Sequence, residues 1–285
     1  MGMLRDALPG VAVPLLLAVA TLLIFRRAWA GVLALALAYS AGHVVIANAW
    51  PPFPPILTED WLVYFLVPTV VLGLVERRVR PGHVWRLLPR VGIAFAGAYL
   101  LVKPLTLQWS VLETVLWTAA EGLAVLVLWT ILDLAAHRSD TKASDWRPSG
   151  GLFLAGLVVL SSASSVALLN SSSAKLAQFA GALAAGLGVC MVYSVWRPGG
   201  GFSRALVPVF VPVLAGLCLN GYHYSSLPSP TAWILLLAGC LNGWGGRPLE
   251  RPGPWPLATL RLVLVALLAS LAVWFTFGGA QEPEW

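Results

Sequence analysis

Ten apolar stretches follow one another along this chain: Pro9–Phe25, Ala28–Trp50, Trp61–Val75, Val91–Trp109, Val111–Ala136, Gly151–Asn170, Ala174–Trp196, Ala205–Tyr224, Thr231–Gly246 and Leu257–Phe277. A helix needs about 20 apolar residues to cross a hydrocarbon core, and most of these reach or approach that length. No connection exceeds roughly twenty residues, which leaves no room for a soluble domain. In lipid a single segment satisfies its own backbone donors and acceptors only as a helix. Composition agrees: 11% of residues are charged and 59% hydrophobic, with mean hydropathy +0.82, against about 25% charged in a soluble domain. The expected fold is an all-α membrane protein, a polytopic bundle of about ten transmembrane helices forming a single integral membrane domain over residues 1–285.

The basic residues set its orientation. With ten crossings, one side holds Arg26, Arg27, Arg77, Arg78, Arg80, Arg86, Arg90, Arg138, Lys142, Arg147, Arg197, Arg204, Arg247, Arg251 and Arg261, fifteen of the eighteen Lys and Arg. That is the positive-inside pattern. The other side holds "PPFPPILTED", a serine-rich turn, "HYSSLPSP" and the acidic tail "QEPEW", so both termini are expected outside. Trp61–Val75 and Thr231–Gly246 are the shortest stretches, but dropping either would place successive basic loops on opposite sides. Trp50, Trp61, Trp109 and Trp233 fall at outer ends and Trp29, Trp85, Trp146, Trp196 and Trp255 at inner ones, as interfacial belts require. The basic loops are expected to set topology and touch anionic headgroups.

"AWA" at 28–30 imitates a leader cleavage site, but Arg26 and Arg27 stand between it and the apolar run, so the first stretch reads as a span. Cys190, Cys218 and Cys240 lie inside apolar stretches without metal or disulfide spacing. Lysine is scarce beside arginine, and Ala, Leu and Gly abound, which points to a GC-rich bacterial genome and an inner membrane. The net charge of +6 belongs to topology, not to nucleic acid. Membrane lipids and other membrane subunits are the expected partners.

A shift of about 144 residues brings the first five stretches onto the last five, relating residues 9–137 to 153–281; "LVYFLVP" at 62–68 meets "LVPVFVP" at 206–212, with Pro68 and Pro212 in register. Five crossings per half would invert one half relative to the other. Inverted repeats with Pro-interrupted helices recur in secondary transporters.

Polar residues inside the stretches are the candidates for a substrate or ion pathway. "SSASSVALLNSSSAK" at 161–175 holds seven serines. On a helix they share about 200° of arc, with Asn170 opposite, and Ser161 lies roughly 15 Å deep. The next stretch carries Ala177, Gly181, Ala184 and Gly188, a small-residue stripe for close approach. The favoured reading is a tight hairpin whose hydroxyls bond their own i−4 carbonyls; the alternative is that Ser161, Ser164, Ser165 and Asn170 line a polar cavity. Glu121, about 15 Å along its helix, is expected near the bilayer centre, with Glu113 two turns outward and Lys103 in the preceding stretch. A Lys103–Glu113 or Lys103–Glu121 pair would lower the burial cost; otherwise Glu121 carries a proton or binds a cation. His43, near Ser40, and His223, near Asn220, lie toward the outer face, and Asp133 is expected to pair with Arg138.

No nucleophile elbow, zinc motif or phosphate loop is present in the sequence. No catalytic residue, cofactor or metal is assigned. The reading is a small-solute or ion permease; the alternatives are a non-catalytic membrane subunit or assembly factor and, third, a membrane-embedded enzyme.

Overall fold

Each apolar stretch forms a helix. In a computed structural model describing residues 2–27, 29–76, 84–141, 149–197, 202–243 and 255–278, the helices are α1 (Gly2–Phe25), α2 (Ala30–Ala47), α3 (Trp61–Glu76), α4 (Val84–Val102), α5 (Val111–Thr141), α6 (Ser149–Asn170), α7 (Ala174–Trp196), α8 (Phe202–Tyr224), α9 (Ser229–Gly243) and α10 (Trp255–Gly278), with a 3-10 turn over Lys103–Leu107 after α4. The described residues are 88% helical and contain no strand. Seven helical segments are long and apolar enough to cross a membrane: Ala30–Ala47, Trp85–Leu107, Val111–Asp140, Gly150–Asn170, Ala174–Trp196, Phe202–Tyr224 and Thr259–Phe277; Pro9–Phe25 and Trp61–Glu76 are apolar but shorter. The chain is thus a helical bundle compatible with an integral membrane protein. Arg77, Arg78, Arg80, Lys142, Trp146, Arg147, Arg247, Arg251 and the acidic tail lie outside the described residues.

Of the boundaries that depart from expectation, two bear on the site. The polar segment "VWRLLPR" is helix, because Arg86 and Arg90 turn inward onto carboxylates. They are buried, so they do not reach headgroups as the basic loops were expected to do. The fifth helix runs on past Ala136 to Thr141 and has 31 residues, about 46 Å.

Apolar on all sides, α8 sits at the centre of the bundle, touching every helix from α2 to α7 and also α9. Around it, α1, α2 and α7 pack together on one flank and α6, α9 and α10 on another. Small residues make the closest approaches. A Cβ on Gly42 would stand 2.6 Å from Ala182 Cβ, and one on Gly186 3.0 Å from Ala38 Cβ, which draws α2 against α7. Shifting 42 to 186 and 182 to 38, each by 144 residues, turns the first contact into the second. Between α3 and α8, Gly73 meets the Ala205 carbonyl and Gly216 meets Leu62, again within one residue of exchange. The correspondence lapses at α1: α6 packs on α8, α9 and α10, but among the described residues α1 meets α2 and α7 alone.

On α7 Ala182 and Gly186 make the close approach to α2, and of the stripe expected toward α6 Ala177 and Gly181 face Ser165. Gly181 faces Ser165 Oγ at ordinary distance, and Gly188 has nothing within 4 Å of a Cβ. The α6/α7 hairpin closes through Ser172 at φ 65° and Ser173, whose hydroxyl accepts the Leu176 N–H.

Candidate functional site

Polar side chains collect at the two ends of the α5/α8 pair. At one end Glu76, Arg86, Arg90, Asp133 and Arg204 form a buried ionic cluster from α3, α4, α5 and α8. Arg90 donates from Nε and Nη2 to both Glu76 oxygens, at 2.5 and 2.6 Å, and Arg86 Nη2 reaches Glu76 at 3.0 Å. Asp133 receives Arg86 at 3.3 Å, Arg90 at 3.1 Å and Arg204 Nε at 3.0 Å. Where Arg138 was the expected partner, Asp133 gathers three arginines from other helices, because its side chain turns into the bundle while Arg138 is exposed. Two turns further, the Asp140 carboxylate accepts the backbone N–H groups of Ser203 and Arg204. These first-turn donors of α8 lack intrahelical partners, and an anion there complements the helix dipole.

At the other end, His223 Nε2 lies 2.5 Å from Glu121 Oε1, with both side chains about 95% buried. The ring of His223 is surrounded by Trp109, Trp117, Tyr222 and Tyr224, with centroids between 4.9 and 6.1 Å away. Tyr224 donates its hydroxyl to the Leu101 carbonyl at 2.6 Å, which ties the last turn of α8 to α4. Glu121 Oε2 is buried without a hydrogen-bond partner.

His223 is the penultimate residue of α8, so Glu121, ten residues into the 31-residue α5, stands level with the end of α8. The expected lysine partner is elsewhere: Lys103 is exposed on the 3-10 turn. Glu113 is bound to Ser110, accepting its N–H at 2.7 Å and its hydroxyl at 2.8 Å while Ser110 Oγ accepts the Glu113 N–H at 3.2 Å. This reciprocal capping box starts α5, and "SVLE" at 110–113 spells it in the sequence.

Beside Glu121 a partly open cleft of about 120 Å³ lies between α5, α8 and α9. Apart from Glu121, its polar lining comes from Trp117, Tyr222, Ser229, Trp233 and Cys218, and the remainder is aliphatic.

The serines lie outside this cleft. Ser161 and Ser164 are fully buried and donate to the Leu157 and Leu160 carbonyls, both at 2.9 Å, the i−4 arrangement of close packing. Ser165 donates across to the Ala177 carbonyl at 2.7 Å. Asn170 bonds Thr276 Oγ1 of α10 at 2.9 Å. Asn220 accepts the Thr58 hydroxyl and donates to the Gly216 carbonyl at 2.9 Å, joining α8 to the connection before α3. The structure therefore keeps Ser161, Ser164 and Ser165 together on α6, places Lys103, Glu113, Asn170 and Asn220 with other partners or exposed, and gives Glu121 a partner from outside the set.

His43 stacks on Phe179 with centroids 4.3 Å apart and lies 3.6 Å from Asp60. Burial and the adjacent Glu59 carboxylate hold Asp60 above the usual carboxylate range. Lys175 bonds Glu59 at 2.9 Å. Among the described residues no group of three or more His, Cys, Asp or Glu side chains is placed to hold a metal ion.

No protein-family model matches this chain, and no curated protein or solved structure matches it.

Proposed function

We propose that this chain is a bacterial inner-membrane permease of ten crossings with both termini outside, in which the Glu121–His223 pair exchanges protons as a small solute occupies the adjoining cleft. The observation that carries this reading is a buried carboxylate–imidazole pair with a free carboxylate oxygen beside a cleft; intramembrane ionisable groups that are not fully neutralised mark pathways. An even number of crossings is supported by the segregation of polar contacts. Glu76, Arg86, Asp133 and Arg204 meet at one end of the bundle, and Thr58, Lys175, Asn220 and His223 lie toward the other. Two inverted five-helix halves are supported by the exchanged α2/α7 contacts, which a twofold axis between those helices would produce.

The titratable groups around Glu121 are His223, Tyr222, Tyr224 and Cys218 of α8; α9 presents Ser229 and Trp233. The Glu121–His223 contact is the carboxylate–imidazole pair at the cleft, so proton exchange rests on it.

Two measurements test the reading. Single cysteines in a cysteine-free background should be labelled from outside at positions 58 and 226 and from inside at 144; labelling of 58 and 144 from one side removes the ten-crossing topology. In proteoliposomes on a solid support, at least one member of a panel of small cations, anions and neutral solutes should evoke a proton-linked current. Glu121→Gln should lower that current at least 100-fold while the protein still folds. A current unchanged in Glu121→Gln, or a folded protein that gives none, sinks the permease.

A non-catalytic membrane subunit is the second reading. It is favoured by the dry packing of Ser161, Ser164 and Ser165, whose hydroxyls are satisfied within the α6/α7 hairpin.

A further inference from the structure

We propose that the connection between α2 and α3 is a membrane-inserting loop, with Trp50, Phe53, Ile56 and Leu57 seated among outer-leaflet lipids at the boundary between headgroups and acyl chains. The inference rests on the ten-crossing topology, in which α3 spans the membrane.

The polarity of this loop is turned inside out. Trp50, Phe53, Ile56 and Leu57 are 64, 80, 81 and 47% exposed, while the polar residues of the same connection face the bundle. The Thr58 hydroxyl donates to Asn220 of α8, Glu59 accepts Lys175 of α7 at 2.9 Å, and Asp60 is buried 3.6 Å from His43 of α2. A second fastening comes from Tyr64, whose hydroxyl donates to the Pro51 carbonyl at 2.7 Å and reaches the Pro52 carbonyl at 3.2 Å. Its ring meets Phe53 edge-on at 5.5 Å. The large apolar side chains are therefore held outward by the loop's own bonds, an arrangement that is unfavourable in water and favourable against an apolar medium.

Backbone chemistry sets the depth. Irregular segments are kept out of hydrocarbon by N–H and C=O groups that find no partner there. In "WPPFPPI" at 50–56 four of the seven residues are proline, which has no N–H to satisfy, and Tyr64 covers two of the carbonyls. The N–H groups of Trp50, Phe53 and Ile56 are left. They suit the interfacial layer, where lipid oxygens and water accept them and where Trp is favoured, and they exclude the hydrocarbon centre.

Continuity with α3 identifies the medium as lipid. That helix has 16 residues, about 24 Å, against a hydrocarbon core of about 30 Å. Val67, Val71 and Val75 form an exposed apolar stripe along it, and Tyr64, one turn before Val67, carries Phe53 at the head of that stripe. The loop thus extends the lipid-facing surface of α3 into the layer that the helix is too short to reach. No Lys or Arg occurs between Asn48 and Asp60, so the attachment is apolar and needs no anionic headgroup.

The test places one cysteine in the loop, Phe53→Cys or Ile56→Cys, in the full chain freed of Cys190, Cys218 and Cys240. Each is labelled with an environment-sensitive fluorophore in phosphatidylcholine nanodiscs. Two quenchers oppose each other: a doxyl group near the carboxyl end of the lipid acyl chain, and iodide in the water. Ser226→Cys, exposed on the connection between α8 and α9, is the aqueous reference. Both loop positions should be quenched severalfold more than 226 by doxyl lipid and severalfold less by iodide, with the same values in phosphatidylglycerol. Leu57→Cys supplies a further position where either variant fails to fold. Iodide quenching equal to that at 226 would mean a loop in water, shielding from both quenchers a loop covered by protein, and doxyl quenching confined to phosphatidylglycerol an attachment by headgroup charge. Each of these overturns the proposal. A lipid-quenched loop with positions 58 and 144 labelled from one side refutes the topology alone; opposite-side labelling with an iodide-quenched loop refutes the insertion alone.

Discussion

Asp133→Ala is expected to destabilise the protein by about 3–5 kcal/mol, the range for removing one partner from a buried ionic group. Asp133 is 3% exposed and receives three guanidiniums. Without it Arg86 and Arg90 still reach Glu76, but one carboxylate then faces two buried arginines, and Arg204 loses the acceptor of its Nε. Water cannot readily replace the lost oxygens in so buried a site, so the desolvation cost of the cations is no longer offset. The measurement is thermal unfolding of purified protein in detergent. The double variant Asp133→Leu with Arg204→Met should recover much of the loss, since apolar replacement of a buried ion pair is often neutral. A loss under about 1 kcal/mol in the single variant would mean that this cluster does not hold α3, α4, α5 and α8 together.

Gly156→Ala should cost about 2–6 kcal/mol, although it adds one methyl. A Cβ at that position would stand 2.1 Å from Asn242 Oδ1 and 2.6 Å from its Cγ, and Asn242 is fully buried. The asparagine must move, which endangers its 3.2 Å hydrogen bond to the Phe153 carbonyl. The expected cost combines overpacking, about 1–3 kcal/mol, with a buried amide left short of partners, about 1–3 kcal/mol. Asn242→Ala in the same chain should relieve the clash, and a double-mutant cycle in unfolding experiments should give a favourable coupling above about 1 kcal/mol. Additive effects would place the α6/α9 contact elsewhere.

Apolar length and the distribution of arginine announce the helices well: α7 begins and ends where the sequence places it, and α3 ends one residue later than expected. Partners are another matter. Asp133 draws its arginines from α4, the helix before it, and from the distant α8, and no spacing along α5 encodes them. The start of α4 is hidden because Arg86 and Arg90 look solvated by composition; only the carboxylates of Glu76 and Asp133 make their helical burial favourable. Glu121 stands out in the sequence as an acid within an apolar stretch, but its partner His223 lies about a hundred residues away on α8. The Ser110–Glu113 capping box is legible locally and accounts for Glu113 without any pathway. His223, bracketed by Tyr222 and Tyr224, carries a weak signal whose meaning depends on α5 lying alongside.

Because α5 and α8 meet through Glu121 and His223 at one end and through Asp133 and Arg204 at the other, the pair is clasped twice by groups of different chemistry. The ionic clasp is the Asp133–Arg204 bridge with Asp140 seated on the first turn of α8; the other is the Glu121–His223 contact with Trp117 packed on His223 and Tyr222. Twelve helical steps from Glu121 to Asp133 set the clasps about 18 Å apart. High salt screens exposed charge pairs far more than buried ones, so both clasps are built to hold at high ionic strength.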